Sequence, residues 1–295
     1  MSTVVLVVIG ALTGLTTVVF GFGGGFVTVP VIVWVDAAAG PDAATIAVAT
    51  SSLVMVAGAA VATAVTPRSV LRRLRGTASL LALLVVGGLG GAAAASFAPA
   101  RLIHWGFMLY LAVTVLDTLA RPGFLRLRPA PAAGYGDGGE DGGGGEDGGG
   151  GDEVCRASGD GPADRAFAIP GAAGMPIGAV ASFLGVGGSV MTVPLLRRSG
   201  LPMGTAATLA NPLTACISAP ACAVFLTTTR ETDTQALMLP LGSVDLGAAA
   251  LLLLGALPVI VLLRRRPPRI PDRLHARGYV GLLCLVLTAM LLRTP

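Results

Sequence analysis

The residues that invite a chemical reading are glycines, hydroxyls and one amide, and they come in two sets. Gly21-Phe-Gly-Gly-Gly-Phe-Val-Thr-Val-Pro30 returns 164 residues later as Gly185-Val-Gly-Gly-Ser-Val-Met-Thr-Val-Pro194. Glycine tolerates positive φ and lets backbone approach a ligand closely. Proline suits the first turn of a following helix, where its missing N–H costs nothing. A glycine break followed by a helix N-terminus presents free N–H groups and favours an anion. The backbone candidates are therefore Gly23, Gly24 and Gly25 in the first copy, and Gly187, Gly188 and Ser189 in the second. Thr28 and Thr192 stand at matching places before the prolines. Thr50 and Ser51 follow in the next apolar segment, with Asn211 and Thr214 in its counterpart. Such side chains bind an oxyanion without adding a fixed charge. The competing reading makes the glycines packing residues and the hydroxyls ordinary interhelical bonds. Asn211 is the strongest of the set, because an amide is costly to bury unpaired.

One acid lies well inside an apolar segment. Asp245 is by default a functional candidate there, as a proton carrier. It could equally mark an interface, since the segment around it exceeds one crossing. His104 and Asp117 lie toward segment ends and suit solvated or capping roles. Cys155, Cys216, Cys222 and Cys284 form no C-x-x-C pair or metal spacing, so no metal site is expected. Neither H-E-x-x-H, G-x-S-x-G nor a Walker A loop occurs. The chain reads as a non-enzyme with no catalytic residues, no cofactor and no nucleic-acid partner.

The elements that must position these residues are membrane helices. Of 295 residues, 54% are hydrophobic and 12% charged, about half the charged share of an ordinary soluble domain. No Asp, Glu, Lys or Arg occurs in 1–35, 43–67, 76–100, 166–196 or 199–229. About 20 apolar residues in a helix cross a bilayer. The runs are continuous, as in Leu251 to Leu254, and do not alternate as barrel strands would. The fold class is thus all-α integral membrane protein, with the bilayer as partner. Its apolar segments lie near 3–35, 43–66, 77–98, 102–120, 166–196, 204–228, 236–263 and 278–292. Residues 121–165 differ: their Gly blocks and Glu-Asp pairs suit a flexible solvated linker. The domains are then a first membrane repeat (1–120), that linker, and a second repeat (166–295).

All 20 basic residues are arginine, and their placement tests topology. If segments 3–35 and 166–196 each enter and return on one side, 17 arginines fall on the cytoplasmic side and three outside. If every segment crosses once, the division is 11 to nine, against the positive-inside rule. The first arrangement makes each half a glycine-broken hairpin plus three crossings, with the second half inverted. Inverted repeats around a midplane site are a recurring transporter plan.

The paired Gly-x-Gly-Gly-Gly/Ser…Thr-Val-Pro motifs, each followed by a proline and an Ala/Thr-rich helix, resemble the TauE/SafE sulfite-exporter family. The resemblance covers both membrane halves. It implies a secondary transporter of sulfite or a related organosulfur anion in the plasma membrane. Gly21 to Gly25 with Pro30, and Gly185 to Ser189 with Pro194, are the positions carried over. Two departures, Ser189 for glycine and Asn211-Pro212 opposite Thr50-Ser51, make the half-sites chemically unequal. The expected function is alternating-access transport of a small anion, with protons a possible coupling ion through Asp245. An anion channel, a non-transporting scaffold and a thiol relay through Cys216 and Cys222 are the rivals.

Overall fold

The computed structural model describes residues 3–35, 43–74, 76–120, 171–228, 239–266, 268 and 270–292. The expected linker 121–165, with Cys155, lies outside the described residues. Seven helices are long and apolar enough to cross a membrane. They are α1 (Thr3–Phe20), α3 (Ala43–Ala64), α5 (Ala78–Phe97), α6 (Ala100–Ala120), α9 (Met203–Thr227), α10 (Leu246–Arg265) and α11 (Asp272–Leu291). Between them stand four short ones: α2 (Gly25–Val35), α4 (Arg68–Leu71), α7 (Gly174–Leu184) and α8 (Ser189–Arg198). At 1.5 Å per residue, α2, α7 and α8 reach about 16 Å, roughly half of a 30 Å hydrocarbon core.

The two glycine motifs divide their segments as expected. Gly21 to Gly24 separates α1 from α2, and Gly185 to Gly188 separates α7 from α8. Segment 236–263 starts differently. Pro240–Leu241 (β1) pairs antiparallel with Val244–Asp245 (β2) before α10 begins. Gly242, at φ 60°, makes the turn. Ser243 then donates its N–H to the Phe225 carbonyl (3.0 Å) and its hydroxyl to the Thr228 carbonyl (2.9 Å). The hairpin thereby occupies carbonyls that the end of α9 would leave unpaired.

Helix packing is driven by small residues. A Cβ on Gly10 or Gly14 of α1 would collide with the carbonyls of Leu252 and Ala256 on α10. A Cβ on Gly174 or Gly178 of α7 would collide with the carbonyls of Leu80 and Leu84 on α5. A four-residue step on one helix matches a four-residue step on its partner, so each pair runs in the same direction. Gly255, Gly87 and Gly91 press equally close from the opposite side. Membrane helices associate through such small-residue contacts because lipid supplies no hydrophobic drive between them. Each half therefore docks its first long or short arm onto a helix of the other half.

At the centre, α3 and α9 pack on each other and on the two broken arms, α3 against α2 and α9 against α8. The outer helices turn leucines outward, among them Leu109, Leu116, Leu254 and Leu285, each more than 60% exposed. In a chain of this composition that apolar surface faces lipid.

Candidate functional site

The same three positions of each motif adopt positive φ: Gly21, Gly23 and Gly24 (77°, 63°, 98°), and Gly185, Gly187 and Gly188 (68°, 72°, 72°). Left-handed backbone penalises any residue with a Cβ. Gly25 and Ser189 are the first residues of the following helices, outside that region. This is why serine is permitted at one of them. Gly25 answers to a different constraint, since a Cβ there would meet the Met55 sulfur and lie 2.8 Å from the Gly185 carbonyl oxygen.

The contact at Gly25 brings the two breaks together. Gly25 and Gly185, 160 residues apart in sequence, pack against one another at the centre of the fold. A Thr214 methyl lies against both Gly23 and Gly187, and Met55 lies against both Gly25 and Gly187. The Ser51 hydroxyl sits 3.4 Å from the Gly185 carbonyl and donates to Val48 at 2.8 Å. All break residues are buried. Thr28, Thr50, Ser51, Ser189, Thr192, Asn211 and Thr214 are each at most 1% exposed. The structure therefore gathers every candidate glycine, hydroxyl and amide around the two breaks or on the helices lining them.

Hydrogen bonding separates the two halves. In the first, Thr28 donates back to the Gly24 carbonyl at 2.8 Å, and Thr50 Oγ1 accepts the Asp245 N–H at 3.0 Å. In the second, Ser189 Oγ, Thr192 Oγ1, Thr214 Oγ1 and Asn211 Oδ1 are buried with no partner among the described residues. Gly188 is the N-cap of α8 and offers no side chain to its N–H groups. The Met191 and Thr192 amides both bond Gly188, while Ser189 and Val190, one turn earlier, precede the first intrahelical bond. Buried polar groups are nearly always paired. Four such orphans lie on α8 and on α9, which packs against it.

The prolines contribute locally. Pro212 lacks an N–H, which frees the Thr208 carbonyl. Asn211 Nδ2 donates to that oxygen at 3.5 Å and to Ala207 at 3.1 Å, leaving Oδ1 unoccupied. Pro194 likewise frees the Val190 carbonyl, and the buried Tyr279 hydroxyl donates to it at 3.0 Å. The Tyr279 ring also packs on Phe22 of the first break, with centroids 5.0 Å apart. One side chain thus braces both breaks.

The profile of the sulfite exporter TauE/SafE family matches residues 6–290. The chain belongs to that family. No curated protein and no solved structure matches it. Its being a TauE/SafE protein agrees with the seven membrane-length helices and makes it a membrane protein of a transporter family.

In this TauE/SafE chain Asp245 stands at a helix boundary. It is the N-cap of α10, its Oδ1 accepting N–H groups of Gly247 (2.9 Å), Ala248 (3.1 Å) and Leu239 (3.3 Å). Asp117 accepts from Arg198, and His104 lies half-buried near the start of α6. Cys216, Cys222 and Cys284 are free thiols. Among the described residues no cluster of His, Cys, Asp or Glu could hold a metal ion. Sequence reasoning missed several residues. Thr13, buried and unpartnered beside Gly24, carries no motif. Tyr279 and Met55 gave no signal either, since only the fold brings them to the breaks. A cavity of about 520 Å³ between α5, α6 and α7 is lined by apolar residues and glycines apart from Tyr110. It includes none of the candidate residues.

Proposed function

We propose that the chain is a secondary transporter of sulfite or a related small organosulfur anion, working by alternating access in the plasma membrane. The observation that carries this reading is the set of unpartnered buried groups at the start of α8. Ser189, Thr192 and Thr214 can each donate to an oxyanion, and the uncapped helix start favours negative charge. Leaving such groups unsatisfied costs roughly 1–3 kcal/mol each, which a purely structural protein would have no reason to bear. Asn211 Oδ1 adds one acceptor among the donors, which suits an oxyanion that retains a proton. No fixed cation lies among them, so binding stays weak enough for release.

The burial of every break residue favours alternating access over a continuous channel, because a solute reaches these groups only when helices move. The same-direction pairing of α1 with α10 and of α7 with α5 supports two inverted halves, each gripping the other. In such an architecture the breaks would share a midplane. Asp245 is read as the cap of α10, and proton coupling through it is left to its own test below.

The test is saturable flux of labelled sulfite into or out of proteoliposomes, with sulfate, thiosulfate and sulfoacetate as competitors. Flux that saturates and disappears in a folded Gly188→Leu variant is the expected result. Flux of none of these anions, from protein shown to be folded, would refute the substrate assignment.

A further inference from the structure

A second place in the molecule combines a cation with unused hydrogen-bond donors and open space. Arg264 lies in the last turn of α10, where neighbouring Arg265 and Arg266 put it on the arginine-rich side. That side is cytoplasmic by the positive-inside rule. Unlike its exposed neighbours, Arg264 turns inward. Its Nη1 donates to Thr208 Oγ1 at 2.9 Å, and Thr208 itself donates to the Gly204 carbonyl at 2.7 Å. Arg264 Nε and Nη2 are buried with no partner among the described residues.

Thr208 also lines a cavity of about 400 Å³ with Gly204, Thr205, Pro268, Asp272 and His275. The Asp272 carboxylate does not compete for Arg264. Both its oxygens are taken by Arg197 (Nη1 at 3.0 Å), and Oδ1 also accepts the Met203 N–H at 2.8 Å. Arg197 is fully buried and cancels that charge. His275 faces the Val19 carbonyl. The cavity is therefore a neutralised pocket that Arg264 reaches through Thr208 without lining it, and the guanidinium's buried remaining donors would match an oxyanion's geometry once a ligand drew them out. Thr208 stands one helical turn before Asn211 on α9, and its carbonyl accepts from Asn211 Nδ2 at 3.5 Å, which ties the pocket wall to the unpartnered groups of the second break.

We propose that Arg264, held by Thr208, forms a cytoplasmic oxyanion-binding vestibule that loads solute toward the central breaks. The inference rests on the transport reading for its role, while the binding itself can be tested separately. Two sources supply the same chemistry: a free oxyanion such as sulfite, or the phosphate of a lipid headgroup. The protein in nanodiscs is treated with phenylglyoxal, and modification of Arg264 is followed by peptide mass spectrometry. Sulfite should slow that modification several-fold while gluconate at equal ionic strength does not. Protection that is complete in phosphatidylglycerol discs without sulfite, and unchanged by adding it, assigns the guanidinium to lipid and overturns the proposal. No protection from either source also overturns it.

Flux measurements then separate the two readings. Arg264→Gln should raise the KM for cytoplasmic sulfite by about ten- to a hundredfold, the loss expected for a charge-assisted bond. Thr208→Val, which frees the guanidinium without removing its charge, should produce a smaller rise. Wild-type flux with an unprotected Arg264 leaves transport standing and sinks the vestibule. Protection without flux does the reverse.

Discussion

Among the described residues the first glycine break leaves one buried hydroxyl beside it unpartnered, Thr13 Oγ1, and the second leaves three, on Ser189, Thr192 and Thr214. Both bend through three positive-φ glycines at matching positions, and both lead into a helix with a buried threonine before its proline. Thr28 spends its hydroxyl on the Gly24 carbonyl. Thr192, its counterpart, has no partner, nor do Ser189 and Thr214 nearby. Duplication therefore preserved the backbone and let the chemistry diverge. The first break supplies shape and packing, through Phe22, Phe26 and the glycines that admit Met55 and Thr214. On the proposed reading the second supplies the hydrogen bonds. A transporter with two identical half-sites would hold its solute symmetrically; this one should hold it mostly from α8.

The largest effect should come from removing what the breaks share. Gly24→Leu and Gly188→Leu each place a side chain at positive φ, against Thr13 in the first case and Ile217 in the second. Each should abolish sulfite flux, with a stability loss of at least about 1–2 kcal/mol from backbone strain alone. Equal loss from both would show that shape matters on both sides, and survival of flux in either would break the comparison at its base.

The next effect divides the halves. Thr192→Val removes a donor to a charged ligand, so the KM for sulfite should rise about tenfold or more. Stability of the empty protein should hold or improve, because an unsatisfied buried hydroxyl has gone. Thr28→Val should change KM by less than about threefold, since its hydroxyl serves only its own helix.

Tyr279→Phe sharpens the picture further. It unpairs the Val190 carbonyl that Pro194 has freed, at a cost of about 1–3 kcal/mol for a buried orphan. Thermal unfolding should register that loss while the sulfite KM moves little. The smallest effect belongs to Asp245→Asn. Asparagine caps helices as well as aspartate, so unfolding should shift by less than about 1 kcal/mol and the pH dependence of flux should stay as in the parent. A flattened pH profile with unchanged stability would instead make Asp245 the proton carrier.

Much of this was legible in the sequence. The 164-residue repeat located both breaks, and glycine's freedom at positive φ explains why the identical positions bend. Charge-free runs marked the spans, and Pro202 stands at the N-cap of α9, but Pro30 and Pro194, expected in a first helical turn, lie inside α2 and α8. The spacing of Gly10 to Gly14, repeated at Gly174 to Gly178, was there to be read as well, but a small-residue pair has meaning only once its partner helix is known. Other features were hidden for physical reasons. Asp245 looked intramembrane because the run 236–263 continues through the hairpin at Pro240–Asp245 with no other charged residue. Arg197 entered the sequence reading only as one of the arginines counted on the cytoplasmic side, yet it is fully buried against Asp272, 75 residues away. Most of all, Thr28 and Thr192 are the same residue in the same motif. Whether a hydroxyl bonds its own helix depends on a rotamer that its packed neighbours decide, and the motif alone does not name them.

The most direct test is calorimetric binding of sulfite to the purified protein, comparing Thr192→Val with Thr28→Val. Affinity lost about tenfold in the first and kept in the second is the result predicted for a site built on α8. Equal loss in both, or loss only with Thr28→Val, would contradict it and return the anion to the first break or to both.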